Sequence, residues 1–592
     1  MGVSSPDDAR QSVHGTSDPA QDTPTQVSRL DSVATNQAIP SPTDHNVHKD
    51  GSCADEPPPS LAPDELEVGK VDPKKIISFS STDPDNPYNW PRRKKLYIFV
   101  TGIVAVINST LGSSLPSGAI SFIAADFNIT DQVQLPLPIS CFLAGYVVGP
   151  TICAPLSENN GRKPVILGFF CLATIFTLAC AVAPTWPALL FFRFVCGIGF
   201  SGPISIVAGL YADIYNDPRE RGVTMAWFMV ATTFGPVAAP AISGFISENT
   251  TWRWVFGVAT IFAAAMIPVI ALMPESYTPV LLSRKAKKLR QETGDQDIIA
   301  KTDLQKKTLR HVVTVVMTRP YRMLFNEVIV MCTCAYCALA YGIFYLYFEA
   351  YPIIFQGPNS VYGWSWGVSG LAFLPIGIGS VFAAPIFLGW DAYLAKAQKQ
   401  NAKWAHQEEY RRLPLACLGG PLYVVSLLWI GWSAKPGTHW LAPVASGVTF
   451  GMAFQLIFMA LLNYLSDSYM TFAASAQGIA STCRSIFGAL LPLASNRMFS
   501  SLGVAWACSL LAFLSLGMCL IPFAFIKYGD RIRDNSVFCK ELKEMMAQEA
   551  AEQEREEAAA GATALAVNEG KGGERVSYTA ERRREETVYE KV

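Results

Sequence analysis

The sequence has little charge. Only 16% of its 592 residues are charged, half are hydrophobic, and the mean hydropathy is +0.25. Soluble globular domains carry about 25% charged residues, because charge covers a water-exposed surface. The composition therefore excludes an ordinary soluble protein and indicates a chain that lies mainly in lipid.

Motifs of enzymes and of ATP-driven machines are also missing. There is no Walker A loop, no HExxH zinc motif, and no catalytic triad that the sequence supports. Residues 197–202 (GIGFSG) match the glycine pattern of dinucleotide sites, but no strand precedes them and no βαβ unit surrounds them. We interpret these glycines as positions of close helix packing. We expect no enzymatic activity, no cofactor, no bound metal and no nucleic-acid partner.

The cysteines lack the spacing of a secreted disulfide framework. Most of the 14 cysteines lie within apolar runs, and so does the CxxC pattern in residues 332–337 (CTCAYC). We interpret them as small packing residues rather than as metal ligands or redox groups.

What the sequence does have is a series of long apolar runs. A run of 18 or more apolar residues is long enough to cross the roughly 30 Å hydrocarbon core as a helix. We predict an all-α polytopic membrane protein with twelve spans in two groups of six. The predicted spans lie at about 95–117, 132–154, 164–183, 187–212, 221–247, 251–273, 325–349, 363–390, 414–434, 440–465, 471–496 and 502–527.

The charges between the spans predict the topology. A segment rich in Lys and Arg, residues 274–324, separates the first bundle (91–273) from the second (325–530). Cytosolic loops retain excess Lys and Arg, so we expect this segment to be cytosolic. An even number of spans then places both termini in the cytosol.

Polar tails flank the membrane region. Residues 1–90 lack apolar periodicity and are expected to form a disordered cytosolic tail. Residues 531–592 contain a helix-favouring charged run (EAAEQEREEAAA) followed by a polar stretch, and we expect a solvated cytosolic tail. No apolar signal segment follows the start, so we expect insertion to begin at the first spanning helix. Sequons at Asn128 and Asn249 fall in predicted outer loops, where glycosylation occurs.

Polar residues inside the predicted spans are candidates for a functional cavity. A charge at the bilayer centre costs about 2.5–3.5 kcal/mol on insertion scales, so such residues usually face a cavity or a partner. We interpret Arg193 and Arg484 as facing a water-filled cavity, and Glu349, at the end of the seventh span, as its acid. For the amides of Asn108 and Asn463, helix–helix hydrogen bonding is an equally good interpretation.

Three short motifs occur in order along the chain. Residues 154–163 (APLSENNGRK) form a charged turn between the second and third spans. Residues 193–199 (RFVCGIG) lie in the fourth span, and residues 235–244 (GPVAAPAISG) lie in the fifth. Together these motifs resemble the major facilitator superfamily, and within it the fungal twelve-span drug:proton antiporters. The resemblance covers roughly residues 83–535, although Ala154, Ala239 and Ser243 replace glycines that are usual in the family.

The resemblance implies a fold and two working parts. The fold would be two pseudo-symmetric six-helix bundles around a cavity that opens alternately to either side. The fifth-span antiporter motif would comprise Gly235, Pro236, Pro240 and Gly244. A charge latch at the cytosolic end would hold the outward-open state and break as the cavity opens inward; topology anchoring alone is the other interpretation of these charges. The latch residues would be Glu158, Gly161, Arg162, Lys163, Asp213, Arg219 and Arg221.

The resemblance also implies a function. We expect proton-coupled efflux of a small organic toxin, drug or secondary metabolite, such as a polyketide like cercosporin, by a monomer surrounded by membrane lipid. The plasma membrane is favoured over the vacuolar membrane. Polyamine:proton antiport, a transporter-like sensor and substrate uptake remain alternatives. The cavity is expected to be aromatic, with walls from Tyr341, Phe344, Tyr345, Phe348 and Tyr464.

Overall fold

A computed structural model describes residues 76–77, 79, 83–295, 297–300, 318–358, 360–548 and 550–551 of the chain. The side chains of residues 76, 218, 219 and 471 are not among those described. Most of the predicted tails (1–90 and 531–592) and the basic stretch 301–317 therefore lie outside the described residues.

The described part of the chain before residue 274 forms seven helices. Apolar helices dominate because lipid offers backbone N–H and C=O groups no partner, so each segment must satisfy its own. The helices are α1 (Arg92–Ser114), α2 (Ile120–Asp126), α3 (Leu137–Asn160), α4 (Arg162–Ala181), α5 (Trp186–Ile214), α6 (Pro218–Asn249) and α7 (Arg253–Leu272).

The second half repeats this plan after a connecting segment. The connecting helices are α8 (Thr278–Thr293) and α9 (Arg319–Asn326). The membrane helices that follow are α10 (Val328–Phe355), α11 (Trp366–Leu371), α12 (Leu374–Lys399), α13 (Glu408–Ser433), α14 (Leu441–Tyr469), α15 (Ala473–Leu490) and α16 (Ser495–Asn535). A further helical stretch covers residues 537–548.

Eleven helical segments of the described chain are long and apolar enough to cross a membrane. The last one, Ala473–Asn535, has 63 residues and would be about 95 Å long as one helix, three times the hydrocarbon thickness. It is broken at Gly503, whose φ of 71° is not helical. Asn496 contacts the loop before α3, whereas Arg533 contacts Glu408 at the other end of the bundle. The segment therefore crosses twice, which gives the twelve crossings that the sequence predicts.

The seventh crossing is longer than predicted. Its predicted end was residue 349, but α10 continues to Phe355 because residues 350–355 are almost all apolar or aromatic. Glu349 therefore lies inside the helix, six residues before its end, rather than at the membrane boundary.

The outer surface of the bundle is apolar. Leu272, Val182 and Leu520 are 78%, 69% and 68% exposed, and many other large apolar side chains point outward. A soluble protein rarely exposes so large an apolar surface, whereas hydrocarbon surrounds such a surface favourably. The exposed faces therefore fit a protein embedded in lipid.

The two ends of the bundle carry different chemical groups. The "basic end" contains the α3–α4 turn at Gly161, the α12–α13 connection and the C-terminal end of α16. The "sequon end" contains Asn128 and Asn249, both exposed. Asp126 at the end of α2 accepts hydrogen bonds from Trp252 Nε1 (3.0 Å) and from Arg253 (2.8 Å) at the start of α7.

The chain before α1 pairs with the connecting segment. β1 (Ile76–Ile77) lies parallel to β2 (Ile299–Ala300), and Lys285 Nζ of α8 donates to Asp83 Oδ2 at 2.5 Å. This hydrogen bond from Lys285 lowers the pKa of Asp83 below its ordinary value. The connecting segment is therefore held to the polypeptide that enters the first membrane helix.

Candidate functional site

A cavity lies between the two halves near the middle of the membrane helices. The space between its lining atoms, open solvent included, is about 420 Å³. The first half contributes Thr110, Ile204, Met229, Thr232 and Thr233, and the second half contributes Tyr341, Phe344, Phe454, Gln455, Phe458 and Arg484. Both halves therefore form the site, so a relative movement of the halves changes it.

Arg484 on α15 is one of the residues that line this cavity. Its Nη2 donates to Ser481 Oγ at 3.3 Å, and its guanidinium carbon lies 5.5 Å from the centre of the Tyr341 ring. Its Nε is buried and has no hydrogen-bond partner. A cation with an unused donor thus faces the space between the halves.

Aromatic side chains form the wall beside Arg484. Phe344 stacks on Phe454 with ring centroids 4.9 Å apart, and Phe454 lies 4.4 Å from Phe458. Tyr341 packs on Phe344 and Tyr345. Stacked rings of this kind provide flat apolar faces for another ring.

Two further aromatic residues of the predicted wall occupy other positions. Tyr345 contacts the first half, where its hydroxyl lies 2.7 Å from Ser113 Oγ. Tyr464 packs on Phe525, with ring centroids 5.8 Å apart, within the second half. The prediction that Tyr464 lines the cavity is wrong, because its side chain points to α16.

Arg193 does not face the cavity, contrary to the sequence-based interpretation. Its three nitrogen groups donate to the carbonyls of Pro138, Gly112 and Ser113 at 2.8–3.0 Å. The carbonyl of Gly112 lacks its usual helical donor because residue 116 is a proline. Arg193 therefore replaces a missing backbone hydrogen bond and ties α5 to α1 and α3.

The other polar candidates differ in their surroundings. Glu349 is half-buried and makes no hydrogen bond or ion pair with a described residue. Asn108 is buried with its Nδ2 unpartnered, and neither it nor Glu349 lines the central cavity. Asn463 donates to Met459 O, one turn back in its own helix. This bond lies within α14, so it is not the helix–helix hydrogen bond of the alternative interpretation.

The antiporter-motif helix packs closely on α1. Pro240 has no N–H, so the carbonyl of Pro236 loses its helical donor, and Ser114 Oγ donates to it at 2.6 Å instead. A Cβ at Gly235 would overlap Thr110 and the backbone of α1. The prolines and glycines of this motif therefore build a helix–helix contact without side chains in between.

The same helix joins the two halves at the sequon end. A Cβ added at Gly244 would lie 2.5 Å from the carbonyl oxygen of Trp366 on α11. One turn later, Glu248 Oε2 accepts the backbone N–H of Gly367 at 3.1 Å. On the other side of the bundle, Asn496 Nδ2 donates to Gln132 O at 2.5 Å. The halves are thus in direct contact at this end.

At the basic end of the first half, Glu275 is the central acid. It follows α7, is 6% exposed, and accepts the backbone N–H groups of Arg162 and Lys163 at 2.9 and 3.2 Å. A carboxylate at the first turn of α4 is favourable because the helix N-terminus is electropositive. Gly161, with φ 100°, allows this approach, since a Cβ there would collide with the carboxylate.

The side chain of Arg162 completes this cluster. Its Nε lies 3.2 Å from Asp213 Oδ2, and its Nη1 donates to Ser157 Oγ at 2.9 Å. Glu158 is exposed and makes no ion pair with a described side chain. Arg221 is exposed within electrostatic range of Asp213, and the side chain of Arg219 lies outside those described.

A matching cluster occurs at the basic end of the second half. Arg412 at the start of α13 lies 3.2 Å from Asp467 at the end of α14 and 3.0 Å from Asp391 in α12. The Arg162–Asp213 pair has the same position in the first half and the same Nε–Oδ2 distance. This cluster has no signal in the sequence, because Asp391, Arg412 and Asp467 are far apart in the chain and form no short motif.

A third polar centre holds the segment after α16. Glu327, 2% exposed, accepts the hydroxyl of Tyr469 at 2.8 Å and the backbone N–H of Phe538 at 3.2 Å. Arg533 bonds to Glu408 and Glu409 at the start of α13. These contacts fix the C-terminal end of α16 to the second half.

Comparison with known proteins gives consistent matches. Residues 102–492 match the family model described as Major Facilitator Superfamily. The chain is 38% identical over 473 residues to "Efflux pump FUBT" of Fusarium oxysporum, covering 79% of this chain and 78% of that protein. It is 36% identical over 496 residues to the "Major facilitator superfamily multidrug transporter mdrA" of Aspergillus fumigatus, covering 82% and 80%.

Solved structures match at the level of the fold. The partially occluded inward-open xylose transporter XylE from E. coli has a TM-score of 0.52 and 14% identity, covering 73% of this chain and 98% of that one. XylE bound to 6-bromo-6-deoxy-D-glucose has a TM-score of 0.54 and 14% identity, covering 74% and 97%.

Proposed function

Because the chain belongs to the major facilitator superfamily, we propose that it exports small organic compounds in exchange for protons. The compounds would be drugs, toxins or fungal secondary metabolites. The single observation that supports this most is the cavity between the halves, lined by stacked aromatic rings and a few polar groups. The relatives named as an efflux pump and a multidrug transporter favour export over uptake.

Transport would proceed by rocking of the two halves around this cavity. The contacts at Gly244 and Glu248 close the sequon end in this structure. If the basic end faces the cytosol, as the positive-inside rule predicts, this is a state closed to the outside. Opening the sequon end would require these contacts to break and the halves to approach each other at the basic end.

Proton coupling needs a group that binds a proton in one state and releases it in the other. Glu349 is the candidate that we propose, since a half-buried carboxyl without an ionic partner changes protonation readily when its exposure changes. The carboxyls of Asp213 and Glu275 are engaged with Arg162 and the start of α4. These two acids fit a conformational role better than proton transfer.

Polyamine export is a weaker candidate. A polycation needs carboxylates in its site, whereas the described residues that line the central cavity include an arginine and no carboxylate. A sensor built on this scaffold would use a structured cytosolic domain, and nothing in the described residues favours one. We also propose plasma-membrane localisation, cytosolic termini, glycosylation at Asn128 and Asn249, and a monomer in contact with lipid.

Reconstituted proteoliposomes test the proposal. The full chain is inserted in vesicles, a proton gradient is imposed, and uptake of 1-naphthoate and its neutral amide is measured. We expect uptake of at least one compound that follows the gradient and stops with a protonophore. Glu349→Gln should abolish gradient-driven uptake while leaving counterflow exchange intact. Transport that ignores the proton gradient but requires ATP would contradict the proposal.

A further inference from the structure

Two hydrogen-bond donors in the central cavity have no partner. One is Nε of Arg484 and the other is Nε2 of Gln455, and both atoms are buried. An unpaired buried donor costs about 1–3 kcal/mol, so natural cores rarely retain one unless something binds to it. Here two such donors belong to residues that line the same space.

The amide of Gln455 is oriented by the opposite half. Thr233 Oγ1 on α6 donates to Gln455 Oε1 at 2.8 Å, so the oxygen side of the amide is occupied. The NH₂ side is then left free of protein acceptors, and Gln455 itself is only 1% exposed. The cavity thus holds a fixed neutral donor together with the cation of Arg484.

Among the described residues, no carboxylate in the cavity balances the charge of Arg484. The described lining residues are aromatic, aliphatic, hydroxyl or amide groups apart from Arg484 itself. The groups that face Arg484 nearby carry hydroxyls and thiols rather than carboxylates; among them are Tyr146, Tyr341 and Cys337. A positive charge that is partly removed from water and unpaired favours an anionic ligand.

The aromatic walls of the cavity indicate that the ligand carries a ring in addition to its anionic group. Phe344, Phe454 and Phe458 form a continuous stack on one side of the cavity. A ligand ring can lie against this stack while its acidic group reaches the two donors. Arg484 presents a planar fork suited to a carboxylate, and Gln455 adds one further hydrogen bond.

We propose that Arg484 and Gln455 form an anion subsite, and that the substrates of this site are aromatic acids with a carboxylate or phenolate group. The proposal rests on the proposed transport function and specifies its substrate class. Because Thr233 and Gln455 belong to different halves, the subsite exists in this form only while the halves are in contact at α6 and α14.

Binding measurements on the purified full chain in nanodiscs test the subsite. The probes share one ring system: 1-naphthoate is anionic, 1-naphthamide is neutral and 1-naphthylmethylamine is cationic. The carboxylate accepts charge-assisted hydrogen bonds from Arg484, whereas the cationic amine is repelled by it, so we expect the carboxylate to bind at least about tenfold more tightly than the amine. Equal binding of all three, or no binding of the carboxylate at millimolar concentration, would overturn the proposal.

Variants separate a subsite from a structural role. Arg484→Gln should weaken 1-naphthoate binding by about tenfold or more while changing 1-naphthamide binding less than about twofold. Gln455→Leu should weaken the acid by a smaller factor. Arg497→Gln, an exposed arginine near the sequon end, is the matched control and should change neither. An equal loss of acid and amide in Arg484→Gln would assign Arg484 to packing.

This test is separable from that of the proposed function. A protein that carries the neutral amide along a proton gradient, yet shows no preference for the acid, contradicts the anion subsite and leaves proton-coupled transport standing. A protein that binds the acid preferentially but transports nothing under any gradient contradicts the transport proposal alone.

Discussion

The two ends of this molecule are held together by different chemistry. At the sequon end, contacts run between the halves: the backbone of α6 at Gly244 touches α11, Glu248 accepts from Gly367, and Asn496 reaches Gln132. At the basic end, the clusters around Arg162 and Arg412 each join helices of one half. The sequon end is closed by contact between the halves. At the basic end the ion pairs lie within each half, and the halves only come near each other, since a Cβ at Gly222 would lie 3.9 Å from Asp391 Oδ2.

This difference suggests a division of work in an alternating-access cycle. The sequon-end contacts can break and re-form, since each involves only van der Waals surface or a single hydrogen bond. Ion-pair clusters within one half keep its helices together while that half moves as a unit. We therefore expect substitutions at the sequon end to change how that end opens and closes. Substitutions at the basic end should instead weaken the contacts that hold the helices of each half together.

The largest effect is expected from filling the closest contact between the halves. Gly244→Val places a side chain against the backbone of Trp366, so the sequon end cannot close, and transport should fall by more than about tenfold. Gly168→Val is the matched control, because nothing lies within 4 Å of a Cβ at Gly168. Proton-driven uptake of 1-naphthoate and its amide in proteoliposomes, at equal protein content, measures both. Normal transport by Gly244→Val would show that this closure is not needed.

We expect the two charge clusters at the basic end to contribute independently to the transport rate. Arg162→Ala removes the ion-pair partner of Asp213. Arg412→Ala removes the partner of Asp391 and leaves Asp467 only its longer contact with Arg411. Each variant should lower the transport rate about fivefold. The clusters share no residue, so the double variant should lose the product of the two factors. A double variant no slower than either single one would mean that the clusters act as one unit across the halves.

A smaller effect is expected from Glu248. Glu248→Gln keeps an acceptor for the N–H of Gly367 but removes the charge, which weakens a hydrogen bond by about 1 kcal/mol at most. The sequon end should open more often, seen as faster labelling of an engineered cysteine at Ser117 by a membrane-impermeant thiol reagent. Glu248→Asp serves as a charge-preserving comparison. Unchanged labelling in Glu248→Gln would remove this contact from the closure.

The smallest effect concerns the segment before α1. The pKa of Asp83 is lowered by its bond to Lys285, so its contribution to stability is present above the unfolded value of about 3.8 and is lost as pH falls through the lower folded value. The protection of residues 83–90 against hydrogen exchange, corrected for the intrinsic rate at each pH, should therefore be unchanged from pH 7 to 5. At pH 7, Asp83→Asn should speed exchange in these residues by lowering the free energy of local opening by less than about 1 kcal/mol. A loss of protection already between pH 7 and 5 would contradict this assignment.

The fold could be predicted because hydrocarbon leaves the chain few choices. Apolar runs must form helices, and the basic loops then indicate the direction in which each helix crosses the membrane. The sequence also indicated that Arg484 needs a polar environment, because a cation in mid-span requires a polar neighbour. The interpretation that Arg193 faces the cavity is wrong, because its guanidinium group binds backbone carbonyls instead. One of them, that of Gly112, is free because Pro116 has no N–H to donate. Sequence carries no signal for which carbonyls meet a side chain in space.

The charge clusters were predictable only in part. The motif around Arg162 indicated an acid nearby, and Glu158 is adjacent in the chain. The structure instead brings in Glu275, which lies more than a hundred residues away and binds backbone N–H groups. Such a partner depends on how α7 returns to the α3–α4 turn, which is a property of packing rather than of local sequence.

A reversible cross-link at the sequon end tests the central claim most directly. In the Gln132→Cys/Asn496→Cys variant, oxidation joins the two halves where they meet in this structure, and each single variant serves as control. The account predicts that cross-linking stops proton-driven transport and that a reducing agent restores it, while the single variants are unaffected. Transport at the full rate by protein that is completely cross-linked would contradict the claim that this end must open in every cycle.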